Sequence, residues 1–350
     1  MSVSVRRTLP EESWRRFVEQ HPAGNVFHTP EMFRVFSLAK GHKPLLWAAV
    51  NDDGSPLSLL LPVQITLFRG ILAGLTTRAV AYGGMLCADS PIGGEALATL
   101  ANAYRQQTSR NVLFTELRNL SDLSGIQAVL AGCGFAHEAH LNFLIDLQRS
   151  ETELWANVSK SGRQSVRTSR NKGMVIEEAT DCQQIGIGYE LLQKVYARAG
   201  VPLADLTLFQ AAFDDLAPQR MFKAFLARVG KHCIGAIWLL TYKERVLTWY
   251  AGSDRTFSSY YPTEALIWHA IQWSRENGFR IFDFGGAGKP DEDYGPRDFK
   301  AKFGGRLVDY GRAICIHAPT RLKLSQAGYQ AMRHYGWRWN QSSAKGSQAE

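Results

Sequence analysis

Between Asp283 and Gly305 the chain reads DFGGAGKPDEDYGPRDFKAKFGG. The triplet Asp283-Phe284-Gly285 would need an H-R-D catalytic loop and a V-A-I-K strand to belong to a kinase, and neither occurs in the chain. The pair Gly288-Lys289 would need a glycine five positions earlier and Ser or Thr after the lysine to form a phosphate loop; Asp283 and Pro290 stand there instead. What remains is an acid at a strand end, a glycine-rich turn, and the segment GPRDFKAKFGG. Pro296 suits the first turn of a short helix, Phe299 and Phe303 share its inner side at i, i+4, and Gly304 can end it. On that helix Lys300 and Lys302 flank the phenyl pair, whereas on a strand they would share one face; the cap signals favour the helix.

Working outward, the acid closes the strand RIFDFGG, which follows a helix from Pro262 to Asn277. Before that helix, FKAFLARV, HCIGAIWLL and VLTWYAG read as a strand meander. The first half shows the same order. After the helices EESWRRFVEQ and TPEMFRVFSLAKG, PLLWAAV and LSLLLPVQI read as strands about NDDGS, then a helix from about Glu95 to Gln107 leads to the strand VLFTELR. Both central helices carry Glu-Ala-Leu near their start, at Glu95–Leu97 and Glu264–Leu266, and each leads to a strand with one acid, Glu116 or Asp283. The repeat predicts a duplicated α/β module.

A length of 350 residues with 45% hydrophobic composition suits two cores. The expected boundaries are a first module over 1–150, a basic linking helix over 151–178, a second module with the acceptor site over 179–317, and a basic tail over 318–350 that packs back on the first module. Residues 160–172 hold five basic side chains and no acid, with Arg163, Arg167 and Arg170 at helical spacing. A solvated helix face and a phosphate-tracking surface both fit this run.

The net charge of +8 suits a polyanionic partner: nucleic acid, a nucleotide diphosphate or an anionic membrane face. The cysteines are 5 and scattered, with no C-x-x-C pair, which predicts reduced thiols and no zinc site. GIGYEL at Gly186 lacks the third glycine of a dinucleotide fingerprint, and HEAH at His137–His140 has the wrong spacing for a zincin helix. No run has the length of a bilayer span and the first residues lack the apolar core of a signal peptide, so the expected location is cytoplasmic, with a peripheral place at the inner membrane as a variant.

Three segments in order, SKSGRQSVRTSRNKG, PTEALIWHAIQWSRENGFRIFDFGG and GPRDFKAKFGG, resemble the Fem-type peptidyltransferases and related duplicated GNAT-like proteins of the bacterial cell envelope. The resemblance covers roughly residues 20–315. It implies two tandem GNAT-like modules with mixed central sheets (α+β) and transfer of an aminoacyl or acyl group to an amine of a peptidoglycan or polysaccharide precursor. It also implies that Lys300 lies near the diphosphate of a nucleotide- or lipid-linked acceptor, with Lys302 beside it. No sustained heptad run matches the coiled-coil arm of some Fem proteins. The resemblance implies a donor that is aminoacyl-tRNA, with the basic linker as its expected contact, or acyl-CoA. Against conventional CoA binding, the segment before the central helix reads RTFSSYYPTEAL, without the glycine-rich turn that holds a pyrophosphate, and Glu264 adds a negative charge in the first turn.

A lysine-like acceptor amine must lose a proton to attack, at about 4.6 kcal/mol at pH 7. Asp283, His269 and Lys302 are the candidate catalytic residues; Asp283 as a cap of the glycine loop and His269 as a packed helix residue are the rival readings, and substrate-assisted proton transfer is an alternative. Lys300, Tyr250, Tyr260, Tyr261, Arg163, Arg167 and Arg306 are the candidate substrate-binding residues. A non-enzymatic RNA- or membrane-surface scaffold is the reading of a different class.

Overall fold

A proline decides the first departure from the expected strands. The computed structural model describes residues 2–66, 70 and 73–328, and in it LSLLLPVQI is two strands rather than one. Pro62 has no N–H to give a ladder, so the chain turns there and its two parts join different sheets.

The first half runs β1 (Ser4–Arg6), α1 (Glu11–Gln20), α2 (Pro30–Leu38), β2 (His42–Pro44), β3 (Trp47–Val50), β4 (Pro56–Leu60) and β5 (Val63–Thr66). It continues with α3 (Ala73–Thr76), β6 (Thr77–Gly83), β7 (Met85–Cys87), α4 (Pro91–Thr108), β8 (Phe114–Asn119), α5 (Ser124–Gly132), β9 (Ala136–Glu138) and β10 (Leu141–Asp146). Two helices follow, α6 (Glu151–Asn157) and α7 (Lys160–Asn171). The second half is β11 (Val175–Glu178), α8 (Cys182–Ala199), α9 (Leu206–Leu216), β12 (Phe222–Val229), β13 (His232–Tyr242), β14 (Arg245–Ser253), α10 (Pro262–Glu276), β15 (Ile281–Gly286), α11 (Gly295–Ala301), β16 (Arg306–Asp309) and β17 (Arg312–Ile316). The predicted α7, α10, α11 and the β12–β14 meander form as the periodicity requires; GIGYEL falls inside α8, where Gly188 lets the helix approach Leu226 and Ala236.

The duplication is visible in the pairing. In each half a helix with proline in its first turn links two parallel strands, β6 to β8 through α4 and β14 to β15 through α10. Sheet membership nevertheless crosses the expected boundaries at 150 and 317. β10 inserts between β15 and β16 in the sheet of the second half, in the order β11-β12-β13-β14-β15-β10-β16. β17 inserts between β8 and β9 in the sheet of the first half, in the order β2-β5-β6-β8-β17-β9. Each half thus lends one strand to the other. A smaller sheet, β1-β3-β4-β7, closes the N-terminal side.

Alternation sorts the second sheet into two faces. Phe225, Ile237, Val246, Phe282 and Phe284 face α10 and share a core with Leu141, Phe143 and Ile145 of the lent strand. Leu226, Trp238 and Leu247 face α8, α9 and α2, so this second core is built from both halves. In the tail, residues 319–328 are helical and Arg321 donates to the carbonyl oxygens of Gly74 (3.4 Å) and Ser109 (3.2 Å), both in the first half. The remainder of the expected basic tail lies outside the described residues.

Candidate functional site

The parallel pair β14–β15 holds only from Arg245–Leu247 against Ile281–Asp283, after which the strands part. A bulge at Trp249 turns β14, because Trp238 pairs with Tyr250 while Leu239 pairs with Thr248. On the other strand Gly285 takes φ +70°, a left-handed conformation that suits glycine, and β15 bends away. The Oγ1 of Thr248, at the point of parting, is buried with no hydrogen-bond partner among the described residues. The result is a V-shaped opening with unpaired strand edge on one side.

Lys300 stands at the far end of β15. Its Nζ donates to the carbonyl oxygens of Phe284 (3.0 Å) and Gly286 (2.6 Å). Burial lowers its pKa to about 8, against the opposing pull of Asp283. The GPRDFKA helix positions it: Phe303 is buried, Phe299 and Phe303 pack ring to ring at 5.6 Å, and Arg297 ties the helix back to the carbonyl of Ala287. Lys302 has its backbone carbonyl bound by the Ser159 N–H (2.7 Å), while its ammonium lies 3.7 Å from Glu264.

Asp283 is fully buried and points away from Phe282 and Phe284, toward the first half. Its Oδ1 accepts from Gly285 N (2.8 Å) and Asn142 Nδ2 (3.3 Å), and its Oδ2 from Arg245 Nη1 (3.2 Å). Burial raises its pKa despite Arg245 and these donors. It has no exposed surface, and its bonds brace the glycine loop and the parting strands. Arg245 carries the brace across to the carbonyl of Leu120 in the first half.

His269 is on the opposite face. Its ring meets Phe225 edge-on at 4.7 Å in the α10-side core, so the structure does not bring it together with Asp283. Tyr250 packs among Tyr196, Phe209 and Trp238, and burial raises its pKa. Tyr260 lies under Lys172 Nζ at 5.1 Å. Tyr261, partly exposed, caps α10 at φ 52° without a side-chain bond, so the position where a glycine-rich turn would hold a pyrophosphate carries a tyrosine in the left-handed region.

Of the basic residues, Arg163 is turned onto the carbonyls of Trp155, Ala156 and Val158, where it caps α6. Arg167 lies over the Trp155 ring at 5.8 Å. Arg306 is exposed and lines a groove of 660 Å³ with Arg149 and Arg280, at the start of β15 rather than at the Lys300 end.

One cluster was not anticipated as a set. The buried Glu116 of β8 accepts from Arg118 Nε (3.0 Å) and Nη2 (2.9 Å), and from Arg312 of the lent β17. Burial works against this carboxylate, yet the two guanidinium groups outweigh it and hold its pKa low. Arg312 Nη2 also meets His140 Nε2 at 2.9 Å, and burial lowers the pKa of that imidazole to about 4, so it is neutral at pH 7. A methyl group on Gly286 would lie 2.8 Å from His140 Nε2, which places the cluster against the Lys300 end of β15. HEAH therefore spans β9 and the entry to β10, not a helix. Glu116 was legible as a strand acid; of its two partners Arg118 is on the same strand, and Arg312, 196 positions away, is brought to it by the strand exchange.

Among the described residues there is no group of three or more His, Cys, Asp or Glu able to hold a metal ion, and no helix long and apolar enough to cross a membrane. Residues 157–300 match the family model described as Acetyltransferase (GNAT) domain. No curated protein matches the chain. Among solved structures, FemX aligns with a TM-score of 0.67 at 16% identity, over 95% of this chain and 100% of that one. A tandem GNAT protein from the clavulanic acid biosynthesis pathway aligns at 0.57 and 13% identity, over 91% and 99%. The C-terminal domain of a putative lysylphosphatidylglycerol synthetase from Agrobacterium fabrum aligns at 0.54 and 16% identity, over 91% and 95%. The fold is thus the duplicated GNAT-like architecture of Fem-type proteins, as the order of motifs predicted.

Proposed function

We propose that the protein is a Fem-like N-acyl or aminoacyltransferase that joins an amino acid or acyl group to an amine of a cell-envelope precursor. The observation that carries this reading is the parting of β14 from β15 with the Lys300 ammonium at its rim. Unpaired strand edge offers backbone N–H and C=O groups to an extended donor, and the partial charge of preorganised donors stabilises an oxyanion where water is excluded. In the transfer, the acceptor nitrogen forms a bond to the donor carbonyl carbon, the carbonyl-to-oxygen ester bond breaks, and the amine proton leaves with the departing oxygen. Neither predicted base is free at the rim: Asp283 is sealed and His269 lies across the sheet, while the neutral, half-buried His140 near the Lys300 end is engaged by Arg312. This favours a substrate-assisted proton path, with Lys300 and the backbone supplying position and charge.

The donor most in keeping with the site is an aminoacyl ester, as on a charged tRNA, and the acceptor a nucleotide- or lipid-diphosphate-linked precursor of peptidoglycan or polysaccharide. Against a CoA pyrophosphate at the start of α10, Glu264 occupies the first turn and Lys302 lies beside it. Acyl-CoA is the alternative donor, favoured by the family match over 157–300. The basic α7 and the positive net charge fit contact with tRNA or an anionic membrane face from a cytoplasmic position. The test is the mass of a nucleotide-linked muramyl peptide after incubation with enzyme and either charged tRNA or acyl-CoA, with Lys300→Ala alongside. A mass shift with charged tRNA that Lys300→Ala abolishes supports the reading. A shift with acyl-CoA alone supports the alternative, and no shift with either donor overturns transfer to this acceptor. In that last case RNA binding lost on Arg167→Ala and Arg170→Ala would favour the scaffold reading.

A further inference from the structure

α7 and α10 lie side by side over the second sheet and form a half-open cavity of 180 Å³ between them. Ser169 of α7 lines it, is wholly buried, and its Oγ has no hydrogen-bond partner among the described residues. A buried hydroxyl without a partner is uncommon and calls for a polar atom from outside the fold. His269 of α10 lines the same cavity, and its ring nitrogens form no hydrogen bond among the described residues. Arg170 stands at the edge, with Nη2 3.3 Å from Gln272 Oε1, which leaves its other N–H groups to a ligand. Gln272 is itself occupied, because its Nε2 donates to Glu151 at 2.5 Å.

Among the described residues no Asp or Glu lines the cavity; its polar groups are one cation, the Ser169 hydroxyl, the His269 ring and the Gln272 amide already engaged with Arg170 and Glu151. Met174, Ile176 and Trp268 form apolar wall. A purely inorganic ion would leave that wall against water, and a purely apolar molecule would leave Ser169 unpaired.

We propose that this cavity is a binding site for a short-chain carboxylate, its charged end at Arg170 and Ser169 and its chain against Met174, Ile176 and Trp268. The site is separate from the rim at Lys300, since it opens on the helix side of the sheet, and it gives His269 a ligand contact in place of a catalytic role.

The experiment follows the Met174 methyl and His269 ring signals by NMR in the full chain, with butyrate, butan-1-ol and butylammonium as probes. Butyrate is expected to shift both signals saturably, with butanol and butylammonium weaker by about tenfold or more. Arg170→Gln, at an exposed helix position, is expected to weaken butyrate by about tenfold, and Ser169→Ala by severalfold. Absence of a saturable shift means a cavity filled with water and overturns the proposal. Equal affinity for butanol, or butyrate binding unchanged in Arg170→Gln, overturns it as well. None of these readouts depends on acyl transfer, so failure here leaves the reading of the Lys300 rim untouched.

Discussion

Two buried charges at the end of β15 carry opposite consequences for pH. Lys300 has a folded-state pKa of about 8, below its ordinary value of 10.5, because burial penalises the ammonium. Between those two values the unfolded chain binds more protons than the folded one, so stability rises with pH there. Urea midpoints for wild type and Lys300→Met are therefore expected to move apart in favour of wild type from about pH 8 to about pH 10.5, and to hold a constant difference just below pH 8; a flat difference across the window would remove the buried ammonium from the account. For Asp283 a bracing role is expected to show as a stability cost. Asp283→Ala leaves Arg245 without its carboxylate and Gly285 N–H without an acceptor, a loss of about 3 kcal/mol by urea denaturation. Asp283→Asn keeps an acceptor for Gly285 and should cost less. Were Asp283 a proton acceptor at the reacting atoms, Asn would instead abolish turnover with stability nearly intact.

At the scale of elements, the two glycines that end GPRDFKAKFGG have separate reasons. Gly304 takes φ +75° after α11, a left-handed exit of the kind that ends helices. Gly305 takes φ +107°, and a methyl group there would lie 2.6 Å from the backbone oxygen of Leu144, in the lent strand β10. Neither the backbone nor that strand can yield cheaply, so Gly305→Ala is expected to lower the thermal midpoint by several degrees, by calorimetry, on the basis of a loss of about 2 kcal/mol. A smaller change than for an exposed alanine substitution elsewhere on α11 would contradict the close approach. In the same element Phe303 is buried and Phe299 packs half-buried against it, which fixes where Lys300 and Lys302 go.

At the scale of the molecule, the exchange of β10 and β17 makes the two halves one folding unit. A fragment of residues 1–150 retains β10, whose Leu141, Phe143 and Ile145 belong to the other core, and lacks β17, whose Ala313 and Cys315 complete its own. Its β8 is left with an unpaired edge and Glu116 with one arginine fewer. The fragments 1–150 and 151–350 are each expected to give poorly dispersed amide spectra, and to recover native dispersion only when refolded together. A well-dispersed spectrum from 1–150 alone would show that the lent strand is dispensable.

The sequence by itself determined the order and type of the main elements. Periods of two and 3.6 residues marked β12–β14, α7 and α10, and proline and glycine marked the ends of α11, because these signals are local and follow from backbone geometry. The repeat of that order revealed the duplication. Tertiary structure alone decided which strands share a sheet, since nothing local says which half β10 and β17 join. It decided too that Asp283 is sealed while Lys300 stands at the rim, and that His269 lies across the sheet from both. Residues hundreds of positions apart, such as Glu116 and Arg312, meet because burying a charge requires a partner, and strand exchange is what supplies it.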